Sequence, residues 1–211
     1  MLITKQNIEN YLTRLEIDGR SQNTTKNYRF HLESFLKYAQ DNPLTPNNCK
    51  ELLEKYKLHL KQDKNYSNSS LKTATVIIKI FLLDQGLDCK GVRVPKTNKK
   101  LPKYLSTDDI KRLLNAPSDI YETRDKAVLS LLYSSGLRVS ELVGLNKDDI
   151  DFNEGIIKVN DGKGGRDRVT YTEPKTLQLI KDMIYKRTRK GRKDTSPALF
   201  ISRTGSRLST R

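Results

Sequence analysis

Tryptophan is absent from the sequence, and histidine occurs only as His31 and His59. Cysteine is equally scarce: Cys49 and Cys89 stand apart, and no Cys-x-x-Cys pair exists. Zinc-ligand spacing is therefore missing, and both thiols are expected to be ordinary packing or surface residues. No apolar run approaches the roughly 20 residues needed to span a bilayer. No segment joins a clean basic face to bulky aromatics, which argues against a membrane surface as partner. The opening Met1-Leu2-Ile3-Thr4-Lys5 does not read as a signal peptide, so an intracellular protein is expected. There is no internal repeat and no low-complexity segment. Only 35% of the chain is hydrophobic, which fits two modest helical domains better than one large core.

What the sequence has in excess is positive charge. Lys and Arg number 40 against 25 Asp and Glu, a formal net charge of +15. A surplus of this size favours a polyanionic partner, because each phosphate neutralised releases condensed counterions. Nucleic acid is the expected partner, and a cytoplasmic, nucleoid-associated location follows from it.

The chain divides at residues 91–104, Gly91-Val-Arg-Val-Pro95-Lys-Thr-Asn-Lys-Lys100-Leu-Pro102-Lys-Tyr104. Its prolines block regular helix and its side chains are basic, so it reads as an extended linker. Upstream, residues 1–90 show helical spacing throughout. Ile8, Tyr11, Leu12 and Leu15 mark one helix, and Tyr28, Leu32, Phe35, Leu36 and Ala39 a second, with Ser21 or Asn23 as its cap. A third, from about Asn47 to Gln62, is expected to turn Leu52, Leu53, Tyr56, Leu58 and Leu60 inward. A fourth opens at the Ser67–Ser70 cluster and stops at Gly86.

Downstream, residues 105–211 begin with a capping-box start at Ser106 and Asp109. Helices are expected through Leu114, over Tyr121–Ser135 and over Val139–Leu145. Then the period changes. Gly155-Ile-Ile-Lys-Val-Asn160 and Arg166-Asp-Arg-Val-Thr-Tyr-Thr172 alternate about the turn Asp161-Gly-Lys163-Gly-Gly165, the pattern of a β-hairpin. Pro174 opens a further helix. The expected fold is mainly α with a small β-hairpin or sheet.

Two places carry chemistry. Arg138 follows the helix-ending Gly136 and precedes a new helix, which sets a planar, always-charged guanidinium at a helix junction. Such a fork suits a phosphate oxygen. Glu141, one turn on, can orient it; a structural Arg–Glu pair is the other reading of the same residues. Lys163 stands among glycines at the hairpin tip, unobstructed, and can meet a backbone phosphate or protonate a leaving oxygen. It also reads as a solvated loop lysine. The segment is not a Walker A loop, because the required spacing and the following helix are missing.

Taken in order, these segments resemble the tyrosine recombinase (phage integrase) family, and its Xer-like members most. Ser21-Gln-Asn-Thr24-x-x-x-Tyr28-x-x-x-Leu32-x-x-Phe35 is similar to the entry of the family's core-binding domain. Val94-Pro95-Lys96 and Leu101-Pro-Lys-x-Leu105-Ser resemble its linker and catalytic-domain start. Gly136-Leu137-Arg138-x-x-Glu141-Leu142-x-x-Leu145 resembles the first arginine box, and Asp161-Gly-Lys-Gly-Gly-Arg-Asp-Arg168 the hairpin with the catalytic lysine. Leu199-Phe200-Ile-Ser202-x-x-Gly205 resembles the approach to the second box.

The resemblance implies a helical, SAM-like core-binding domain followed by part of an α/β catalytic domain. It implies strand cleavage by a tyrosine hydroxyl through a 3′-phosphotyrosyl link, with no metal or other cofactor. Arg138 would stabilise charge on the phosphate, Lys163 would protonate the leaving 5′-oxygen, and Glu141 would hold the arginine. The partner is double-stranded DNA, gripped between two domains mainly through phosphates. Candidate contacts are Thr24, Arg29, Lys72, Lys79, Lys99, Lys100 and Arg166. Complete family enzymes work as tetramers on DNA, and this chain is expected to be a monomer off it. The family's His-x-x-Arg box, later His or Trp, and nucleophilic tyrosine follow the Leu-Phe-x-Ser segment, and the sequence reaches Arg211 before them. Tyr171 and Tyr185 precede that point and do not match the nucleophile. The expectation is a chain that binds duplex DNA without cutting it; the alternative is a non-catalytic regulator or competitor of an intact recombinase.

Overall fold

The computed structural model describes residues 3–40, 44–97, 101–117, 121–162, 166–188 and 195–210; for residues 161, 162, 166 and 188 it describes the backbone alone. The chain forms two compact units, Met1–Leu101 and Pro102–Arg211.

Unit 1 is helical: α1 (Lys5–Ile17), α2 (Gln22–Ala39), α3 (Cys49–Gln62) and α4 (Asn68–Asp84). Serine hydroxyls fix two of the starts. Ser21 Oγ accepts the Thr24 N–H at 3.3 Å, and Ser67 Oγ accepts the Ser70 N–H at 3.1 Å, each cap contributing about 1 kcal/mol. Asn23 lies inside α2 rather than capping it. The apolar stripes close on one core that includes Ile8, Leu12, Leu32, Phe35, Leu53, Tyr56, Ile78 and Phe81. Leu58 is an exception to the expected pattern. It is 55% exposed, because it lies about 200° around the α3 axis from buried Tyr56. Cys49 and Cys89 are both buried in this core, and burial beside Cys49 pushes the Cys89 thiol up to about 12. They are packing residues.

At the boundary of the two units Leu101 and Tyr104 are each 92% exposed. Unit 2 opens with α5 (Thr107–Asn115), where Ser106 Oγ accepts the Asp109 N–H at 3.1 Å and Asp109 Oδ2 accepts the Ser106 N–H at 3.2 Å. This is the reciprocal box that the sequence predicts. Then come α6 (Glu122–Ser135), the short α7 (Val139–Gly144), a 3₁₀ turn (Lys147–Asp149), β1 (Ile150–Asp151), β2 (Ile156–Gly162), β3 (Arg166–Tyr171) and α8 (Pro174–Thr188). The strands make one antiparallel sheet in the order β1-β2-β3. Gly155, between β1 and β2, has φ +69° and would bring a Cβ within 2.8 Å of the Thr172 carbonyl oxygen, so a side chain there is excluded twice over.

Ile157 and Val159 on β2 are buried with Ala127 and Leu131 of α6, Ile180 and Met183 of α8, and Leu199 and Phe200. Polar ties add to this core: Thr170 Oγ1 donates to the Ser135 carbonyl at 2.8 Å, and the Ser134 and Thr172 hydroxyls are 2.6 Å apart. Val159 pairs with Arg168 and Ile157 with Thr170, and residues opposite one another in an antiparallel ladder share a face. The core face of β3 therefore carries Arg168 and Thr170, while Val169 and Tyr171 are 54% and 64% exposed. That inverts the usual apolar-in, polar-out alternation.

Candidate functional site

The site grows from the junction between α6 and α7. Gly136 ends α6 in the left-handed region with φ +62°, a turn glycine takes without steric cost. Leu137 drops into the core, and Arg138, extended at φ −73° and ψ 152°, occupies the N-cap position of α7. Arginine has no side-chain oxygen to cap a helix. Glu141, at the third helical position, serves instead: its Oε2 accepts the Arg138 backbone N–H at 2.8 Å. Its Oε1 accepts Arg138 Nη1 at 2.7 Å. A second guanidinium arrives from β3, where Arg168 Nη2 donates to Glu141 Oε2 at 2.7 Å.

One carboxylate thus sits between two arginines. Its side chain is 5% exposed, while those of Arg138 and Arg168 are 54% and 36% exposed. Burial by itself would raise the Glu141 pKa. The hydrogen bonds from the Arg138 backbone and side chain, with the charge of Arg168, overcome it and hold the carboxyl below its usual range. Two cations against one anion leave a net positive charge. Arg138 meets the carboxylate through Nη1, and its side chain is 54% exposed.

The far end of α7 is also held. Arg207 Nη1 donates to the carbonyls of Val143, Gly144 and Leu145 at 3.0, 2.7 and 3.0 Å, and Nη2 to Asn146 Oδ1 at 2.6 Å. A cation at the C-terminal carbonyls complements the helix dipole, as the Glu141 carboxylate does at the N-terminus. On β2, Asn160 Nδ2 donates to Asp149 Oδ1 at 3.1 Å, and Asp149 Oδ2 accepts the Asn146 N–H at 2.7 Å. The hairpin is tied on both strands, through Asn160 and through Arg168.

Arg138 and Glu141 are brought together, and Arg168 joins them from 27 residues away. Lys163, Lys99 and Lys100 lie outside the described residues, as does the side chain of Arg166. In unit 1, Arg29 is ion-paired with Glu9 and lies 4.0 Å from Glu33. Lys79 Nζ donates to the Val92 carbonyl at 2.8 Å, and the Thr24 hydroxyl is 3.0 Å from Ser21 Oγ. Lys72 is exposed on α4. Sequence reasoning missed Arg168 and Arg207. For Arg168 a signal existed: alternation that puts Val169 and Tyr171 on one face of β3 puts Arg166 and Arg168 on the other. Among the described residues, no group of three or more His, Cys, Asp or Glu could hold a metal ion, and no helix is long and apolar enough to cross a membrane.

Comparison with known proteins matches this architecture. Residues 8–82 match the N-terminal SAM-like domain of phage integrases, and residues 103–211 match the phage integrase family. The chain is 32% identical to tyrosine recombinase XerA of Pyrococcus horikoshii over 210 residues, covering 98% of this chain and 68% of that protein. It is 33% identical to tyrosine recombinase XerC of Thermodesulfovibrio yellowstonii over 226 residues, covering all of this chain and 73% of the relative. Against the XerA of Thermococcus kodakarensis it spans 55% of the relative's length, so the chain corresponds to between half and three quarters of such proteins. Two solved structures share the fold. A lambda integrase tetramer bound to a Holliday junction matches with a TM-score of 0.70 at 16% identity, over 97% of this chain and 58% of that one. The XerH recombinase bound to its difH substrate matches with a TM-score of 0.69 at 15% identity, over 98% and 64%. The two consecutive family matches and the Xer relatives establish that this chain belongs to the phage integrase family of tyrosine recombinases.

Proposed function

We propose that the chain is the DNA-binding and phosphate-engaging portion of a site-specific tyrosine recombinase. In this reading residues 1–90 form the core-binding domain, residues 91–104 a basic linker, and residues 105–211 the first part of the catalytic domain. The observation that carries the reading is Arg138. Its guanidinium is more than half exposed, it is steadied by the buried Glu141, and that carboxylate is shared with a second arginine. A planar cation held through one Nη, in a cluster of two cations and one anion, fits a scissile phosphate. The net charge of +15 supplies the longer-range attraction to duplex DNA.

Lys163, five residues before Arg168 on the same hairpin, is the candidate proton donor to a 5′-oxygen. Lys72, Lys99, Lys100 and Arg166 are candidate phosphate contacts. Arg29 and Lys79 reach DNA only by releasing the partners they hold. The 211-residue polypeptide alone binds duplex DNA as a monomer and does not cleave it, since neither Tyr171 nor Tyr185 stands where the family's nucleophile does. Tetramer formation belongs to the complete enzyme on DNA.

Fluorescence anisotropy with a labelled duplex tests the reading. With six or more phosphates neutralised, affinity falls roughly 10³-fold or more between 50 and 200 mM salt. A salt-insensitive interaction, or Arg138→Ala binding as tightly as the parent chain, overturns it. A covalent protein–DNA adduct formed by the 211-residue chain overturns the non-cleaving part.

A further inference from the structure

We propose that Arg168 is a positioning residue, which fixes the β2–β3 hairpin and Arg138 in one frame through the shared Glu141 carboxylate. The inference rests on the phosphate-binding reading of Arg138 and deepens it.

Three observations carry the inference. First, β3 violates its own face preference: Val169 and Tyr171 are exposed, while Arg168 starts from the core face beside the buried Val159. A strand that exposes two apolar side chains to bring a guanidinium inward departs from the local rule, and such departures concentrate at functional sites. Second, the guanidinium ends on Glu141 Oε2, the same oxygen that accepts the Arg138 N–H. Moving Arg168 therefore moves the group that both starts α7 and aims Arg138. Third, the β2–β3 register shifts between Val159 and Gly162, so the ladder by itself holds that stretch of β2 less firmly. Arg168 stands opposite Val159 at the edge of that irregularity and Asn160 lies within it, and their ties to Glu141 and Asp149 hold the two strands there.

Arg168 also affects charge. By taking part of the negative charge of Glu141, it leaves Arg138 less neutralised than a one-to-one pair would be. A neutral residue at position 168 lets Glu141 quench Arg138 more completely. Lysine restores the charge without the fork, so it recovers binding only in part.

A double-mutant cycle on duplex binding tests this, using Arg138→Ala, Arg168→Ala and both together, with Arg168→Lys as the conservative control. Arg168→Ala is expected to weaken binding about three- to tenfold in the parent background and less than twofold beside Arg138→Ala. Additive losses, with a further drop of about one in the salt slope, make Arg168 an independent phosphate ligand and overturn the proposal. Unchanged binding by Arg168→Ala overturns it too. If Arg138→Ala itself leaves binding intact, the phosphate reading has failed, and the mechanical claim is decided without DNA. Hydrogen exchange then has to show faster exchange at residues 158–162 and 166–170 in Arg168→Ala, with α8 unchanged. Uniform loosening of unit 2 reduces Arg168 to a stabilising side chain and overturns the proposal.

Discussion

Arg29, midway along α2 in unit 1, and Arg138, at the start of α7 in unit 2, are both offered to DNA by sequence reasoning. Their surroundings are opposite. Arg29 is one cation beside two carboxylates, Glu9 and Glu33. Glu141 is one carboxylate between two cations, Arg138 and Arg168. The first arrangement quenches a guanidinium and the second leaves one in surplus. A composition of +15 thus says that an anion is wanted without saying where. What locates the site is the local ratio of cations to the carboxylates that hold them.

That contrast can be broken in several ways. The largest expected effect is at the shared carboxylate. Glu141→Ala strands two guanidiniums against a buried site and removes the α7 cap, so unit 2 should lose about 3 kcal/mol of stability. Thermal unfolding checks this, and Glu9→Ala in unit 1, where both partners are well exposed, should fall below about 1 kcal/mol. Next comes Arg138→Ala, which should cost about tenfold in duplex affinity and reduce the salt slope by about one, measured by anisotropy.

Acidification separates the two units in a smaller way. His31 is buried, with Phe30 against its ring and Asn27, Tyr66, Ser69, Ser70 and Thr73 around it, and burial lowers its pKa. Its unfolded form takes up a proton first, so its contribution is complete above its ordinary value of 6.5 and is lost as pH falls below that. Glu141 is lowered from 4.5, so its contribution is present above that value and is lost only as pH falls through the depressed one. Hydrogen exchange resolved by unit should find unit 1 loosening at a higher pH than unit 2, and His31→Phe should flatten the unit 1 response. The smallest expected effect is Arg29→Ala, which should change duplex affinity by less than about twofold, because its charge is already answered within the fold.

Most helices were legible in the sequence because period and caps agree: Ile8 with Leu12, Ser21, Ser67 and the Ser106–Asp109 box all stand where spacing puts them. Leu58 breaks the stripe formed by Leu53, Tyr56 and Leu60, so its angle on α3, and not its hydrophobicity, sets its exposure. The two-residue β1 had no period to read. The Arg138–Glu141 pair was visible through its three-residue spacing at a helix start. For Arg168 alternation gave only its face of β3; its meeting with Glu141 was not legible, because it depends on the pairing of strands and on the packing of α7 against them, neither of which local spacing encodes.

The clasp on the far end of α7 has a consequence for the order in which the protein is made. A six-residue helix cannot hold itself together in water. Arg207, which grips its last carbonyls, lies 62 residues after Leu145. At a synthesis rate of about 5–20 residues per second, roughly 3–12 s pass between the emergence of α7 and the arrival of that guanidinium. Until then the nascent chain carries Arg138 on a helix with one loose end. The frame that holds Arg138 is therefore among the last features of unit 2 to be completed.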